Sequence, residues 1–326
     1  MRLPTFWKNL LLFGPPLLLW SWMLLLAARH GASPTLHAPA MQAIPSGSLL
    51  LVTADLRGPR GPALRALLGG DGLPGGEERR SLCGADPLDA AAEVALGMPA
   101  AAGDGAFGVA VAGPLREGAL VRCAERVIQA RGGRPVVLRE GTFSVVTDVA
   151  STSEGVVAVR EGGPLLFGGV PYVRRMMAAA AGQEPSVAVD ARHVALRAEA
   201  GEGALVASAL LSADLRERLQ EGLGEERSPL ARVLGLGLSV GAADPAPLRL
   251  VVGCDGAPTC AEVGALLLRL RGERGASLAA WLPGGKAALD GAEVRPEGPT
   301  VQVRAALSAA LLSAAGAGLR SSLGGP

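Results

Sequence analysis

The chain contains 326 residues, a length typical of about two average domains, and its formal net charge is +1 from 31 basic and 30 acidic side chains. Hydrophobic residues make up 49% and charged residues 19% of the sequence, which excludes an intrinsically disordered chain. The balanced charge excludes the strongly basic surface that nucleic-acid binding uses. Aromatic residues are 3% of the chain, which disfavours sites that stack sugars or single-stranded bases.

The amino terminus predicts a membrane anchor. Residues 1–9 carry Arg2 and Lys8, and residues 10–28 form an uncharged, mostly apolar run. As a helix this run would be about 28 Å long, close to the thickness of a bilayer core. Positive charge on the amino side places that end in the cytoplasm and exports the rest of the chain to the periplasm. The tryptophans near the run suit a membrane interface: Trp7, Trp20 and Trp22.

A cleaved signal peptide is the alternative for this segment. It requires small residues at positions −3 and −1 of the cleavage site, but cleavage after Ala28 places Leu26 at −3. An uncleaved single-pass anchor is therefore favoured, and both interpretations export the body. A second span is not expected, because Ala305–Leu319 is short and rich in Ala, Gly and Ser. It predicts a terminal helix packed on a sheet.

The exported body follows a linker at residues 29–45 and alternates strand and helix patterns from Ser46 onward. Separate strands are predicted at 48–54, 106–113 and 248–253. Helices are predicted at 62–68, 119–131, 173–181, 213–223 (capped by Ser212) and 259–271 (opened by a Thr259–Glu262 capping box), with a loop at 71–80. Hairpins are predicted to pair 135–139 with 142–147, 156–160 with 165–167, 193–200 with 204–210, and 292–295 with 301–305.

Hairpins mixed with helices predict an α+β fold with a mostly antiparallel sheet. Two segments share an order of strand, loop and helix, 109–132 with Cys123-Ala124-Glu125 and 250–272 with Cys260-Ala261-Glu262. This similarity suggests two related halves, 46–184 and 185–326. The boundary would lie at the turn-forming residues 182–185.

The four cysteines are the most informative side chains. An even number in an oxidising compartment predicts disulfides, with three possible connectivities. Cys254 ends a predicted strand and Cys260 begins a predicted helix, so a local bridge between them is favoured, and Cys83 would then pair with Cys123. Free buried thiols are one alternative. A redox site is another, since a helix amino terminus lowers a thiol pKa, although the five intervening residues differ from the two of thioredoxin motifs.

Other chemistry-bearing patterns are sparse. His193 is the one histidine outside the first 45 residues, and we predict it to be a half-exposed strand residue without a catalytic role. Tyr172 with Arg174 and Arg175 could bind an anion, but a surface first turn with an aromatic staple is preferred.

Known motifs for cofactors and metals do not fit the chain. The glycines of 235–241 have the wrong spacing for a dinucleotide loop, and Gly284-Gly285-Lys286 is not a phosphate loop. The cysteines and histidines lack zinc-site spacing. No cofactor, no metal and no catalytic residue is therefore predicted.

The chain resembles the single-anchor exported α+β proteins of high-GC bacteria. The resemblance depends on the anchor at 10–28, the opening strand at 46–54 and the Cys254/Cys260 pair. It implies an envelope location and transfers no activity. The function predicted is that of a non-enzymatic binding or scaffold protein whose partner is another envelope component. The alternatives are a thiol-redox enzyme using Cys254 and Cys260, or a divergent hydrolase.

Overall fold

The computed structural model describes residues 39–57, 76–84, 87–99, 107–151, 155–217, 225–281 and 285–314. The predicted segments 1–9 and 10–28, most of the 29–45 linker and the predicted helix at 62–68 lie outside these residues. Within the described ranges, no helix has the length and apolarity needed to cross a membrane.

Twelve strands form one continuous sheet, and every neighbouring pair is antiparallel. The strands are β1 (Ser48–Asp55), β2 (Glu93–Pro99), β3 (Gly108–Ala112), β4 (Pro135–Glu140), β5 (Phe143–Asp148), β6 (Gly155–Val159), β7 (Leu165–Gly169), β8 (Leu205–Leu210), β9 (Val233–Val240), β10 (Ala246–Cys254), β11 (Glu293–Glu297) and β12 (Thr300–Leu307). Their order across the sheet is β11-β12-β10-β9-β8-β1-β2-β3-β7-β6-β5-β4. The predicted α+β class with a mostly antiparallel sheet is confirmed.

Helices cover both faces of the sheet. The helices with both ends among the described residues are α1 (Gly76–Cys83), α2 (Glu117–Ala130), α3 (Val170–Ala180), α4 (Ala191–Ala200), α5 (Ala257–Trp281) and α6 (Gly285–Asp290). Residues 213–217 and 309–314 are also helical, and 3-10 turns lie at Ala40–Ala43, Pro87–Ala90, Val187–Val189 and Glu225–Arg232. On one face, Leu120 of α2 packs with Val111, and Val263 of α5 packs with Val252. On the other face, α3 covers the first half of the sheet and α4 the second. The body is therefore a three-layer structure.

The two predicted halves contribute separate blocks of the sheet, which meet where β1 pairs with β8. In the first block β1, β2 and β3 are neighbours in the sheet, α2 follows them in the chain, and the last strand, β7, pairs with β3. In the second block β8, β9 and β10 are neighbours, α5 follows on the same face as α2, and the last strand, β12, pairs with β10. Two related halves would have this shared order. The division into 46–184 and 185–326 stays a prediction.

Three of the four predicted hairpins are confirmed, namely β4–β5, β6–β7 and β11–β12. The hairpin pairing 193–200 with 204–210 is wrong, because 191–200 is helix α4. Asp190 caps this helix by accepting from the amide of Arg192, and Gly201 ends it with a φ of +79°. The residues buried on α4 are spaced as a helix requires, from His193 to Ala200.

Several boundaries also differ from prediction. The predicted 71–80 loop contains the start of α1. Helix α5 begins at Ala257, so Thr259 lies inside the helix, and its hydroxyl donates to Asp255 instead of capping the helix. Ser212 does accept the Leu215 amide, as its predicted capping role requires. The terminal helix starts at residue 309, since 305–307 belong to β12.

Strand β9 explains the glycine-rich segment that resembled a dinucleotide loop. A Cβ at Gly237 would lie 2.4 Å from the Leu196 carbonyl oxygen, and one at Gly235 would lie 2.8 Å from the Leu196 side chain. The glycines therefore allow α4 to pack directly on the sheet. The spacing of Gly235 and Gly237 is therefore explained by the packing of α4 on β9.

Both predicted disulfides are present. Cys83 is bonded to Cys123 with a Cα–Cα distance of 5.2 Å, and Cys254 is bonded to Cys260 with a Cα–Cα distance of 5.6 Å. All four cysteines are thus accounted for. The first bridge fastens α1 to α2, and the second fastens the end of β10 to the start of α5.

Replacing Gly97 with alanine tests how closely α3 approaches the sheet. The new methyl group would lie 2.4 Å from the Tyr172 hydroxyl oxygen and 2.6 Å from Cγ2 of Ile44. We expect Gly97→Ala to lower the free energy of unfolding by about 1–3 kcal/mol. Gly118→Ala, on the exposed side of α2, should be neutral or slightly stabilising. Urea denaturation followed by circular dichroism measures both, and equal stabilities would contradict the packing described.

Candidate functional site

A cavity of about 530 Å³ lies between α2 and the strands β5, β6 and β7. Its walls are largely aliphatic, and its polar lining groups come from α1, the end of α2 and the residues following β5. The lining residues are Arg79, Leu120, Cys123, Ala124, Val127, Ile128, Arg131, Val146, Asp148, Ser151, Gly155, Val156, Val157 and Leu165. This volume is within the range of small-molecule sites.

Helix α1 forms one wall of the cavity because it is fastened to α2. Beyond the Cys83–Cys123 bridge, Arg131 pairs with Glu78 at 3.0 Å, and Nη1 of Arg126 donates to the Leu82 carbonyl at 3.2 Å. A helix of eight residues is not stable by itself in water. The position of this wall therefore depends on the disulfide and the polar contacts along α2.

Polar groups gather at the carboxyl end of α2. Asp148 accepts the amide of Arg134 at 2.7 Å and that of Ala150 at 2.9 Å. These backbone hydrogen bonds lower the pKa of the Asp148 carboxyl, that of Arg134 most, so the group is anionic at neutral pH. With the Arg131–Glu78 pair nearby, the cavity combines aliphatic walls with a charged rim.

The cavity was not predicted from the sequence. The sequence pattern of the predicted helix 119–131 places Leu120, Ala124 and Val127 on one side, which is the face that lines the cavity. A cavity depends on the distance between helix and sheet, which the hydrophobic pattern does not encode. The described residues contain no group of three or more His, Cys, Asp or Glu placed to hold a metal ion.

A buried polar network lies on the opposite face, where β1 meets β8. Nε2 of His193 lies 2.8 Å from the Ser48 carbonyl oxygen, so this nitrogen donates, and Nδ1 accepts from the Ser208 hydroxyl at 2.7 Å. The Ser48 hydroxyl donates to the Pro45 carbonyl and accepts from Tyr172, each at 2.7 Å. The predicted half-exposed strand position of His193 is wrong, since the residue is helical and 0% exposed.

The Ser208–His193 contact has the spacing of a nucleophile and its general base. Ser208 is 1% exposed and the histidine is completely buried, so a substrate cannot reach the hydroxyl. The other imidazole nitrogen binds a backbone carbonyl instead of a carboxylate. The geometry therefore favours a structural role, in which each buried polar atom satisfies another.

The remaining candidate residues are also placed in structural contacts. Tyr172 is 3% exposed, so the predicted surface staple is wrong. Arg174 pairs with Glu140 and Arg175 with Glu184. Cys254 is 6% and Cys260 0% exposed, and a reductant or thiol substrate cannot reach sulfurs buried in this way without local opening.

The chain matches no protein family model and no curated protein. Among solved structures it is similar to TP0453 in a structure described as its crystal form I, with a TM-score of 0.50, 10% identity, and coverage of 86% of this chain and 97% of that one. Crystal form III gives a TM-score of 0.49, 10% identity, and coverage of 86% and 98%. At 10% identity the likeness to crystal form I concerns the fold alone.

Acidification should destabilise the network around His193. Burial lowers the pKa of its imidazole, against the opposing hydrogen bond to Ser48 and the nearby Asp190, while Arg192 and Arg197 lower it further. The unfolded chain, with an ordinary histidine pKa of about 6.5, then binds the proton that the folded chain excludes. The contribution of neutral His193 to the free energy of unfolding is therefore complete above about pH 6.5. It falls as the pH drops below this value, by up to about 1.4 kcal/mol per pH unit.

Urea denaturation between pH 8 and pH 5 measures this slope. The variant His193→Gln keeps a donor for the Ser48 carbonyl and has no titratable ring, so it should lose the slope in this window. An identical pH dependence in both proteins would contradict the assignment to His193.

Proposed function

We propose that the chain is a non-enzymatic binding protein of the cell envelope, and that it binds an amphipathic aliphatic ligand beneath α2. The observation that supports this proposal is the cavity of about 530 Å³ with aliphatic walls and a charged rim. Ligand sites combine these two features, because apolar walls supply affinity and a few polar groups fix orientation.

The character of the walls supports an aliphatic ligand. None of the residues lining the cavity is aromatic, so stacking on a flat cofactor ring has no platform. Water finds few hydrogen-bond partners along aliphatic walls. A hydrocarbon chain in the cavity would make dispersion contacts with the lining side chains that an empty space does not provide. The Asp148 carboxylate and the Arg131–Glu78 pair are the groups near which the polar end of the ligand would lie.

The location proposed is the periplasmic side of the cytoplasmic membrane, with the segment 10–28 as a single-pass anchor and the amino terminus inside. Two disulfides in the body support an oxidising compartment. The anchor is proposed from the sequence, and a partner in the envelope is proposed with it. Burial of Cys254 and Cys260 counts against the thiol-redox alternative, and burial of Ser208 counts against a hydrolase that uses it.

The anchor proposal predicts that the chain stays in the membrane fraction after alkaline extraction and keeps residues 1–28. Intact-mass measurement of the extracted protein checks this. A soluble periplasmic chain beginning after residue 28 would contradict the anchor and indicate a cleaved signal. Cytoplasmic protein with reduced cysteines would contradict export itself.

Crosslinking with a photoreactive palmitic acid analogue tests the cavity in the full chain. We expect label on peptides from α2 and from β5–β6, and Ala124→Trp, which fills the cavity, should reduce it by about tenfold or more, equivalent to a penalty of about 1.4 kcal/mol. Ala119→Trp places the same ring on the exposed side of α2 and is the control. Equal labelling of both variants, or label mapping elsewhere, would contradict the proposed site.

A further inference from the structure

Two arginines lie side by side on the sheet face that carries α4. Arg249 of β10 and Arg304 of β12 are direct cross-strand partners in an antiparallel ladder, so their side chains leave the same face. Ser239 is the cross-strand partner of Arg249 on β9, so its side chain lies on the same face. The Ser239 hydroxyl donates to the Ala200 carbonyl in α4, which identifies this face as the one that α4 covers. Like charges placed directly opposite each other destabilise a sheet.

The two cations share one neutral acceptor. Nη2 of Arg249 donates to Oε1 of Gln302 at 2.8 Å, and Nη2 of Arg304 donates to the same oxygen at 3.2 Å. Gln302 is held in turn by its amide, which donates to Oε2 of Glu297 at 2.8 Å. One amide oxygen therefore brings two guanidinium groups together without neutralising either.

No carboxylate of the described residues lies within ion-pair distance of these two groups. Glu293, the cross-strand partner of Arg304 on β11, pairs instead with Arg295 at 2.9 Å. Elsewhere in the described body, Arg232 shows the usual arrangement, with Asp255 at 3.0 Å. The pair on β10 and β12 thus keeps a net positive charge beside a satisfied ion pair.

Arg249 also carries an unsatisfied donor. Its Nε is buried and has no hydrogen-bond partner, which is unfavourable because a buried donor without an acceptor loses its solvation. Its Nη1 lies beside Gly201, where a Cβ would be 3.7 Å away, at the carboxyl end of α4. The helix end favours a cation, but it leaves the Nε donor without an acceptor.

We propose that Arg249 and Arg304 form a binding site for a phosphate group. A tetrahedral oxyanion supplies the negative charge that the pair lacks, and it offers acceptors to the N–H groups of the exposed Arg304. Arginine forks match phosphate oxygens in a bidentate way. Arg249 is half-buried and oriented by Gln302, and Arg304 is exposed, so the site is preorganised on one side and open on the other. This site is separate from the cavity beneath α2 and does not depend on it.

The test compares the full chain in phosphate with the full chain in chloride at equal ionic strength. We expect phosphate to raise the melting temperature of the wild-type protein and to bind by calorimetry. Arg304→Gln should bind phosphate about tenfold or more weakly, because it removes charge-assisted hydrogen bonds. In chloride the same variant should melt at the same or a higher temperature, since the repulsion with Arg249 is gone.

Two further variants distinguish specific phosphate binding by the arginine pair from an effect of the overall charge or of misfolding. Arg139→Gln removes one positive charge from β4, at the opposite edge of the sheet, where Arg139 is paired with Glu117, and should leave phosphate affinity unchanged. Arg249→Lys keeps the charge and loses the fork, so it should bind more weakly than wild type. Phosphate binding that is equal in wild type and Arg304→Gln, or absent from wild type, overturns the proposal.

Glycerol phosphate serves as a second probe and identifies the source of the phosphate group. Tighter binding of glycerol phosphate than of inorganic phosphate, with the same dependence on Arg304, indicates a phosphate ester such as a lipid headgroup. Equal affinities indicate free phosphate. Binding of glycerol phosphate that does not depend on Arg304 counts against the site.

Discussion

A single buried imidazole bridges the two blocks of the sheet where β1 pairs with β8. His193 donates to a carbonyl of β1 and accepts from a hydroxyl of β8, so one side chain from α4 contacts both strands at the junction. Because a buried polar atom without a partner costs about 1–3 kcal/mol, the network is stable when all its members are in place. Tyr172 adds α3 to it through Ser48. The positions of two helices on this face thus depend on one set of short hydrogen bonds.

The two faces of the sheet differ in how closely the helices approach the strands. On the α3 and α4 side, glycines at 97, 108, 235 and 237 remove side chains that would otherwise collide with the helices. The helices pack closely there, and the charged pair Arg249 and Arg304 lies where α4 ends. On the other side, α2 is held by a disulfide to α1 and stands far enough from β5–β7 to leave a cavity. Each face therefore carries one of the two proposed sites.

The features predicted from the sequence are those that neighbouring residues determine. The disulfide between Cys254 and Cys260, the β4–β5 hairpin and the amphipathic face of α2 all follow from local spacing, and all are present. Helix α4 was misassigned because its apolar and polar residues also fit a strand, although Asp190 and the spacing of His193, Leu196 and Ala200 are helical signals.

The buried network and the two proposed sites depend on residues distant in the chain. His193 meets Ser48 across 145 positions, and Arg249 meets Arg304 through the register of β10 and β12. The cavity depends on how α1, α2 and the sheet pack together. Such contacts arise from register and packing, which a hydrophobic pattern does not specify.

The proposed ligand site beneath α2 predicts that a fatty acid occupies this space. A crystal structure of the full chain equilibrated with palmitic acid tests it most directly. We expect elongated density between Val127 and Leu165, with its polar end near Asp148 and Arg131. A cavity closed by movement of α2 onto the sheet, or filled with ordered water while the fatty acid binds elsewhere, would contradict it.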